Sequence, residues 1–346
     1  MENNTLTALS GVSVGHATHI DKLTGTTIVL FDKDYPVAYQ SYGGSTGTFN
    51  TDTFRNGKTD YRAHGIFISG GSWAGLQAAG SIMSRMIETE RGYKAFKIIN
   101  PNLTGAIVFD LGTRIDRYNP EYGKEAVDNA TKAPVLRGNV GAGTGTSVGK
   151  FRYFENGTIF AGMKAGVGCA KISMGNGVII TAMSVVNAVG NIVLPNGTFL
   201  AGNRIAGKPG EIMPFEQFED IATNNQTNTT ITIVGINANL HTREHYERVA
   251  HLATHGQVRA INPVNTSLDG DSVFVFSTEE LDGFLSDDAR RKARGAGHWA
   301  DIDVDVIGQA AAKAVQESIY DACYQAETIS FEGALDGVVP AANINA

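Results

Sequence analysis

Short apolar runs, each closed by glycine or a turn residue, recur along the whole chain and constrain its fold more than any other feature. Residues 27–31, 65–69, 106–110, 158–163, 178–186, 231–236 and 272–276 are all of strand length. Several alternate with polar positions, as a half-covered strand does. Others are apolar throughout, which suits a sheet covered on both faces.

Helical periodicity lies between these runs. Over residues 72–87, Leu76, Ala79, Met83, Met86 and Ile87 fall three and four apart. Residues 121–129 form a shorter candidate. Over 242–255, Val249, Leu252 and Ala253 share one side, with Gly256 as the expected stop. Over 304–326, Ile307, Ala311, Ala314, Ile319 and Ala322 form a broad apolar face. Strands and helices are interleaved without a long linker, so one α/β or α+β domain with layered sheets is expected.

Composition narrows the function. Glycine supplies 41 of 346 residues without a collagen-like period, so much of it serves turns and close backbone approaches. The net charge of −7 argues against a general nucleic-acid binder, which needs a basic face. The one basic cluster, Arg290, Arg291, Lys292 and Arg294, follows Asp287 and Asp288 and reads as a solvated helix end or loop. Cys169 and Cys323 are too few for a disulfide framework or a cysteine zinc site and are expected as buried thiols. No signal-peptide pattern and no 18-residue apolar window occur, so a cytoplasmic protein without a membrane span is expected. The acceptor triplets at Asn102, Asn156 and Asn196 then follow from an Asn- and Thr-rich composition.

Three motifs invite chemistry. The segment 141–150 looks like a phosphate loop but fails the Walker pattern: Thr144 stands five before Gly149, and Phe151 follows Lys150. The clusters Gly166-Val167-Gly168 and Gly175-Asn176-Gly177 read as turns. Gly70, Gly71 and Ser72 join an apolar strand to the strongest helix; their N–H groups either hold an anion or oxyanion, or make only a tight turn. His241, Glu244 and His245 match the inverted zincin pattern. Thr242 is a natural N-cap, however, which puts His241 outside the helix and breaks the shared face two zinc-binding histidines need.

A longer set of blocks outweighs these. The segment Asn228-Thr229-Thr230-Ile231-Thr232-Ile233 precedes a helix, and then come Asn262-Pro263-Val264-Asn265-Thr266-Ser267-Leu268-Asp269-Gly270-Asp271. Gly11-Val12-Ser13-Val14-Gly15-His16, the segments 69–76, 106–112 and 138–150, and Val185-Val186-Asn187 stand in matching order. Together they resemble the self-cleaving L-aminopeptidase/D-amidase family, nearest to its nylon-oligomer (6-aminohexanoate oligomer) hydrolases.

The resemblance implies an α+β four-layer αββα sandwich of N-terminal-nucleophile type. It implies a single domain, 1–346, autocleaved between Asn228 and Thr229 into chains 1–228 and 229–346. The implied activity is amide hydrolysis on small peptides or amide oligomers, without metal or organic cofactor, in a homo-oligomer, a tetramer of cleaved units. No nucleic-acid or membrane partner is expected. At Phe109 the sequence departs from the tyrosine of the nylon-hydrolase pattern, and this position is counted with Gly70, Gly71, Ser72 and Asn187 as an oxyanion or substrate-binding candidate.

The candidate catalytic set suits that chemistry. A threonine hydroxyl needs a base, and as a chain terminus Thr229 carries its own amine, whose ordinary pKa of ~7.7–8.0 suits proton transfer. Asn187, ending an apolar strand, could donate to the oxyanion. Lys150 would supply positive charge. Asp269 and Asp271 share a face in a strand or converge in a turn; one could orient the ammonium or hydroxyl of Thr229 and the other hold Lys150 or its partner. Alternative readings are an acyltransferase of similar fold, a zinc metallopeptidase through His241, Glu244 and His245, or a non-catalytic binding protein.

Overall fold

The computed structural model describes residues 2–55, 57–151, 153–154, 159–174, 177–217, 228–282 and 302–342. The basic cluster at 290–294, Asp287, Asp288, Asn156, Gly175 and Asn176 lie outside the described residues.

The strands that carry the fold are β1 (Val12–His19), β2 (Thr24–Ser41), β3 (Thr48–Phe49), β4 (Arg62–Ser69), β5 (Leu103–Ile107), β6 (Val167–Ser173), β7 (Ile179–Asn187), β8 (Thr229–Ala238) and β9 (Ser272–Leu281). Among the described residues, the α-helices are α1 (Ala78–Glu88), α2 (Tyr122–Asp128), α3 (Arg243–Ala260) and α4 (Ile302–Tyr324). Hydrogen bonding orders the strands β6-β7-β8-β9-β2-β4-β5-β3, with β1 added on β2. Two pairs, β8–β9 and β4–β5, are parallel.

The long β2 belongs to two sheets. Its first half pairs with β1 and β4, and its last five residues pair with β9. Strand alternation then sorts side chains into three cores. Ile28 and Leu30 turn toward α1 and α2 and pack with Phe67, Ile82, Met86 and Ala126. Val29 and Phe31 turn the other way, into a core shared with Ile66, Ile68, Val185, Ile231, Ile233 and Phe274. On the far face of the second sheet, Val234, Ile236, Val273 and Val275 meet Val249 and Ala253 of α3 and Ile307 and Val315 of α4. The order is helices, sheet, sheet, helices: the αββα sandwich. Strands buried on both faces are why the runs at 231–236 and 272–276 are almost wholly apolar, with Thr232 and Ser272 as their polar members.

Several boundaries differ from expectation. Helix α3 does not stop at Gly256 but runs to Ala260. A Cβ at position 256 would stand 2.2 Å from the Ala312 carbonyl oxygen, so this glycine serves the close crossing of α3 and α4. Residues 72–77 are a 3-10 helix, and α1 begins only at Ala78. The run at 106–110 is strand only to Ile107, and the described residues of the run at 158–163 hold the two-residue strand Ile159–Phe160 and the start of Met163–Lys164. Cys169 and Cys323 are buried free thiols, and burial pushes the ionisation of both upward. Among the described residues, no helix is long and apolar enough to cross a membrane.

Candidate active site

The central strand of the second sheet, β8, begins at Thr229, which is 3% exposed. Directly across the antiparallel pair stands Asn187, the last residue of β7. On the other flank β8 runs parallel to β9, so the loop leading into β9 passes beside the start of β8. Asn228 and Asp269 form a parallel bridge there. The Asn228 N–H donates to the Leu268 carbonyl at 2.6 Å, and the Gly270 N–H donates to the Asn228 carbonyl at 2.6 Å. The Thr229 hydroxyl donates to the same Asn228 oxygen. The carbonyl before Thr229 therefore receives both the Gly270 N–H and the hydroxyl of the residue that follows it.

Lys150 reaches this corner from the glycine-rich segment. It is 6% exposed, and its Nζ donates to Asn187 Oδ1 at 2.6 Å. The Asn187 Oδ1 also accepts the Ser147 N–H at 3.2 Å, and its Nδ2 donates one hydrogen to the Phe109 carbonyl at 2.9 Å. Asn187 is thus locked in orientation, with its second amide hydrogen not committed to Phe109. Phe109 is half-buried and enters this network through its backbone.

The two aspartates converge in a turn around Gly270, each bracing different backbone. Asp269 Oδ1 accepts the Val189 N–H at 3.2 Å, and its Oδ2 accepts the Thr266 N–H at 3.0 Å and hydroxyl at 2.7 Å. Asp271 Oδ1 accepts the Thr230 N–H at 2.6 Å, and its Oδ2 accepts the Asn265 N–H at 3.0 Å. In the uncleaved chain Lys150 bonds Asn187 and the Thr229 hydroxyl bonds the Asn228 carbonyl, while the two aspartates hold the backbone on either side of them.

Burial dominates the electrostatics. It pushes Lys150 well below the ordinary lysine range, with Arg114 adding to the fall and Asp269, Asp110 and Asp271 opposing it. Burial raises Asp269, and it raises Asp271 well above the ordinary range with the Asp269 charge adding to the rise. These are the displaced, mutually opposed groups that gather at functional sites.

Gly70, Gly71 and Ser72 do not form an anion cradle. The Gly70 N–H donates to the Gly25 carbonyl at 2.8 Å, the Ser72 N–H to the Val108 carbonyl at 3.0 Å, and the Gly71 N–H to Asp110 Oδ1 at 3.3 Å. All three N–H groups are spent inside the protein, as in a tight turn.

The zinc motif is also taken apart by local structure. Thr242 caps α3, accepting the His245 N–H at 3.4 Å, and His241 lies outside the helix with φ 66°. The His245 Nδ1 is turned onto the Leu240 carbonyl at 2.6 Å. Among the described residues, no group of three or more His, Cys, Asp or Glu could hold a metal ion. Sequence reasoning missed two participants, the Gly270 N–H and Asp110. The first is a backbone group with no sequence signature, and the second reads as an ordinary strand end.

Comparison with known proteins bears on this geometry. Residues 4–153 and 155–335 match Peptidase family S58. The chain belongs to peptidase family S58. An uncharacterized aminopeptidase of Mycobacterium leprae is 32% identical over 309 residues, 82% of this chain and 81% of that protein. A 6-aminohexanoate-oligomer endohydrolase of Paenarthrobacter ureafaciens is 26% identical over 285 residues, 79% of this chain and 74% of that one. The structure of the L-aminopeptidase D-Ala-esterase/amidase from Ochrobactrum anthropi, described as a variant of the Ntn hydrolase fold, superposes with a TM-score of 0.64 at 18% identity. The superposition covers 98% of this chain and 91% of that one and supports the shared fold. This member of the S58 family is a hydrolase of peptide or amide bonds.

Proposed function

We propose that the chain cleaves itself between Asn228 and Thr229, and that the freed Thr229 is the nucleophile of an N-terminal-threonine amide hydrolase for small peptides or amide oligomers. The observation that carries this reading is the Thr229 hydroxyl resting on the Asn228 carbonyl, whose oxygen also receives the Gly270 N–H at 2.6 Å. For cleavage, the hydroxyl oxygen attacks the Asn228 carbon and the developing oxyanion keeps its Gly270 donor. The C–N bond breaks to leave an ester on Thr229 and a protonated amine. Water then hydrolyses the ester, leaving a carboxylate on Asn228 and a free amino terminus on Thr229.

Turnover repeats the chemistry on a substrate amide. The Thr229 amine accepts the hydroxyl proton and passes it to the leaving amine as the acyl group transfers to Thr229; water then hydrolyses the ester, releasing the acid and restoring the hydroxyl. Asn187, fixed opposite the nucleophile, offers its second amide hydrogen to the oxyanion, a role worth about 3–4 kcal/mol in comparable sites. Lys150 keeps positive charge at this corner. Asp269 and Asp271 act as braces: one fixes the Thr266 turn and Val189, the other the backbone N–H next to the nucleophile. The names of the relatives support small peptides with a free amine and 6-aminohexanoate oligomers as substrate classes. The family resemblance further supports a tetramer of cleaved units, which light scattering would read as about four times the 36.7 kDa chain.

Denaturing electrophoresis and N-terminal sequencing test the core of the proposal. Active protein should separate into pieces of 228 and 118 residues, the smaller beginning Thr-Thr-Ile-Thr. Thr229→Ala should stay whole, folded and inactive, and Thr229→Ser should retain some processing. A single intact band from active protein sinks the reading. Restoration of EDTA-lost activity by zinc, with Thr229→Ala cleaved and active, would instead favour His241, Glu244 and His245.

A further inference from the structure

We propose that Asp110 is a positioning residue of this site: a buried carboxylate that brings negative charge to this corner and anchors the backbone on which the Asn187 amide hangs. The inference rests on the Thr229 reading and assigns a part to a residue which that reading does not use.

Asp110 is 1% exposed, three residues beyond the end of β5. Its Oδ2 accepts the Thr24 hydroxyl at 2.6 Å, its Oδ1 the Gly71 N–H at 3.3 Å, and its backbone carbonyl the Thr113 hydroxyl at 2.7 Å. The turn before it is shaped around this carboxylate. A Cβ on Gly70 would stand 1.9 Å from Asp110 Oδ2 and 2.3 Å from the Thr24 hydroxyl oxygen. The glycine pair that looks like an anion cradle therefore houses an anion supplied by the chain itself. Burying a carboxylate without an ion pair is costly, so a fold that builds a fitted seat for one offsets that cost through what the charge does.

Two paths lead from Asp110 to the nucleophile. One is covalent and short. Asp110 is pinned at three points, and the preceding carbonyl, that of Phe109, receives Asn187 Nδ2 at 2.9 Å. Asn187 in turn receives Lys150 Nζ at 2.6 Å and stands opposite Thr229. The other path is the field. The groups that feel the Asp110 charge are the ammonium groups of Lys150 and Lys164 and the Tyr118 hydroxyl, from three separate segments packed around it. Burial raises Asp110 to about 6, so it is ionised at neutral pH and above. Burial and Arg114 together would discharge Lys150, and Asp110 is one of three carboxylates that oppose this.

The test uses the full chain and compares wild type with Asp110→Asn and Gly70→Ala, each checked for folding by thermal melting. Asp110→Asn keeps the shape and removes the charge; Gly70→Ala keeps the charge and displaces it. Self-cleavage should slow at least tenfold in both. The basic limb of the turnover–pH profile should fall by about one unit in Asp110→Asn, because Lys150 loses a neighbouring anion. Wild-type rates overturn the proposal. So does slow cleavage with an unmoved basic limb, the mark of a merely structural residue. If Asp110→Asn does not fold, Thr24→Val decides, since it keeps the carboxylate and removes one anchor: a displaced limb supports the proposal and an unmoved one overturns it. Wild type that never cleaves at 228–229 is a failure of the Thr229 reading itself and is read before any variant.

Discussion

Lys164 is the second fully buried lysine of the molecule's centre, and it shows how much the interior departs from water. It is 0% exposed, and its Nζ donates to the carbonyls of Gly143, at 3.0 Å, and Ala165. Burial lowers its pKa from 10.5 to about 7. Between these values the unfolded chain holds a proton that the folded chain has released. Stability must therefore rise with pH across that window and be lost as pH falls toward 7. In a Thr229→Ala background, where a single chain unfolds, Lys164 should add about 2 kcal/mol to the stability gained between pH 7 and pH 9. Urea titrations at the two pH values measure this as a difference in the unfolding free energy extrapolated to water. Lys164→Met should remove that share whatever its own stability, and an unchanged pH dependence in that variant contradicts the assignment. Lys150, lowered for the same reason, contributes in the same direction and remains in both proteins.

At the scale of elements, the crossing of α3 and α4 depends on a single position. A Cβ at Gly256 meets the Ala312 backbone oxygen at 2.2 Å and the Val315 Cβ at 2.6 Å. Backbone cannot rotate away as a long side chain can, so Gly256→Val should force the helices apart and cost about 1–3 kcal/mol. Differential scanning calorimetry would read this as a lowered melting temperature; an unchanged one means the helices separate freely. This glycine also marks a limit of sequence reading, because a C-terminal stop and a helix–helix contact leave the same residue behind. The apolar strands were legible, since burial on both faces leaves nearly unbroken runs. The reach of β2 was not: Asp32, Lys33 and Asp34 interrupt its pattern, yet the strand continues into the second sheet. The same holds in the site. Lys150, Asn187, Asp269 and Asp271 could be picked out, and the structure gathers them around the start of β8. The true work of Gly70 and Gly71 depended on the Gly25 carbonyl and Asp110, which approach only in the fold.

For the whole molecule, the proposed cut has a topological consequence. The piece 229–346 carries β8, β9, α3 and α4, and it is threaded through the centre of the other piece. Strand β8 pairs with β7 on one side, and β9 pairs with β2 on the other; both partners belong to 1–228. The core under α3 and α4 likewise joins Ile180, Ala182 and Val186 of the large piece to Val234, Ile236 and Val273 of the small one. Removing the small piece would split the second sheet and expose that core, at roughly 1.5–3 kcal/mol for each large buried aliphatic side chain. The two pieces should therefore co-elute in native size-exclusion chromatography and separate only in denaturant, and 1–228 made alone should show no cooperative melt. Cleavage also turns unfolding into a dissociation. The urea midpoint of the processed protein should rise with protein concentration, whereas that of Thr229→Ala should not respond to any separation of the two pieces. A 118-residue piece eluting by itself under native conditions would contradict the central placement of β8 and β9, and with it the view that the fold assembles first and cleaves afterwards.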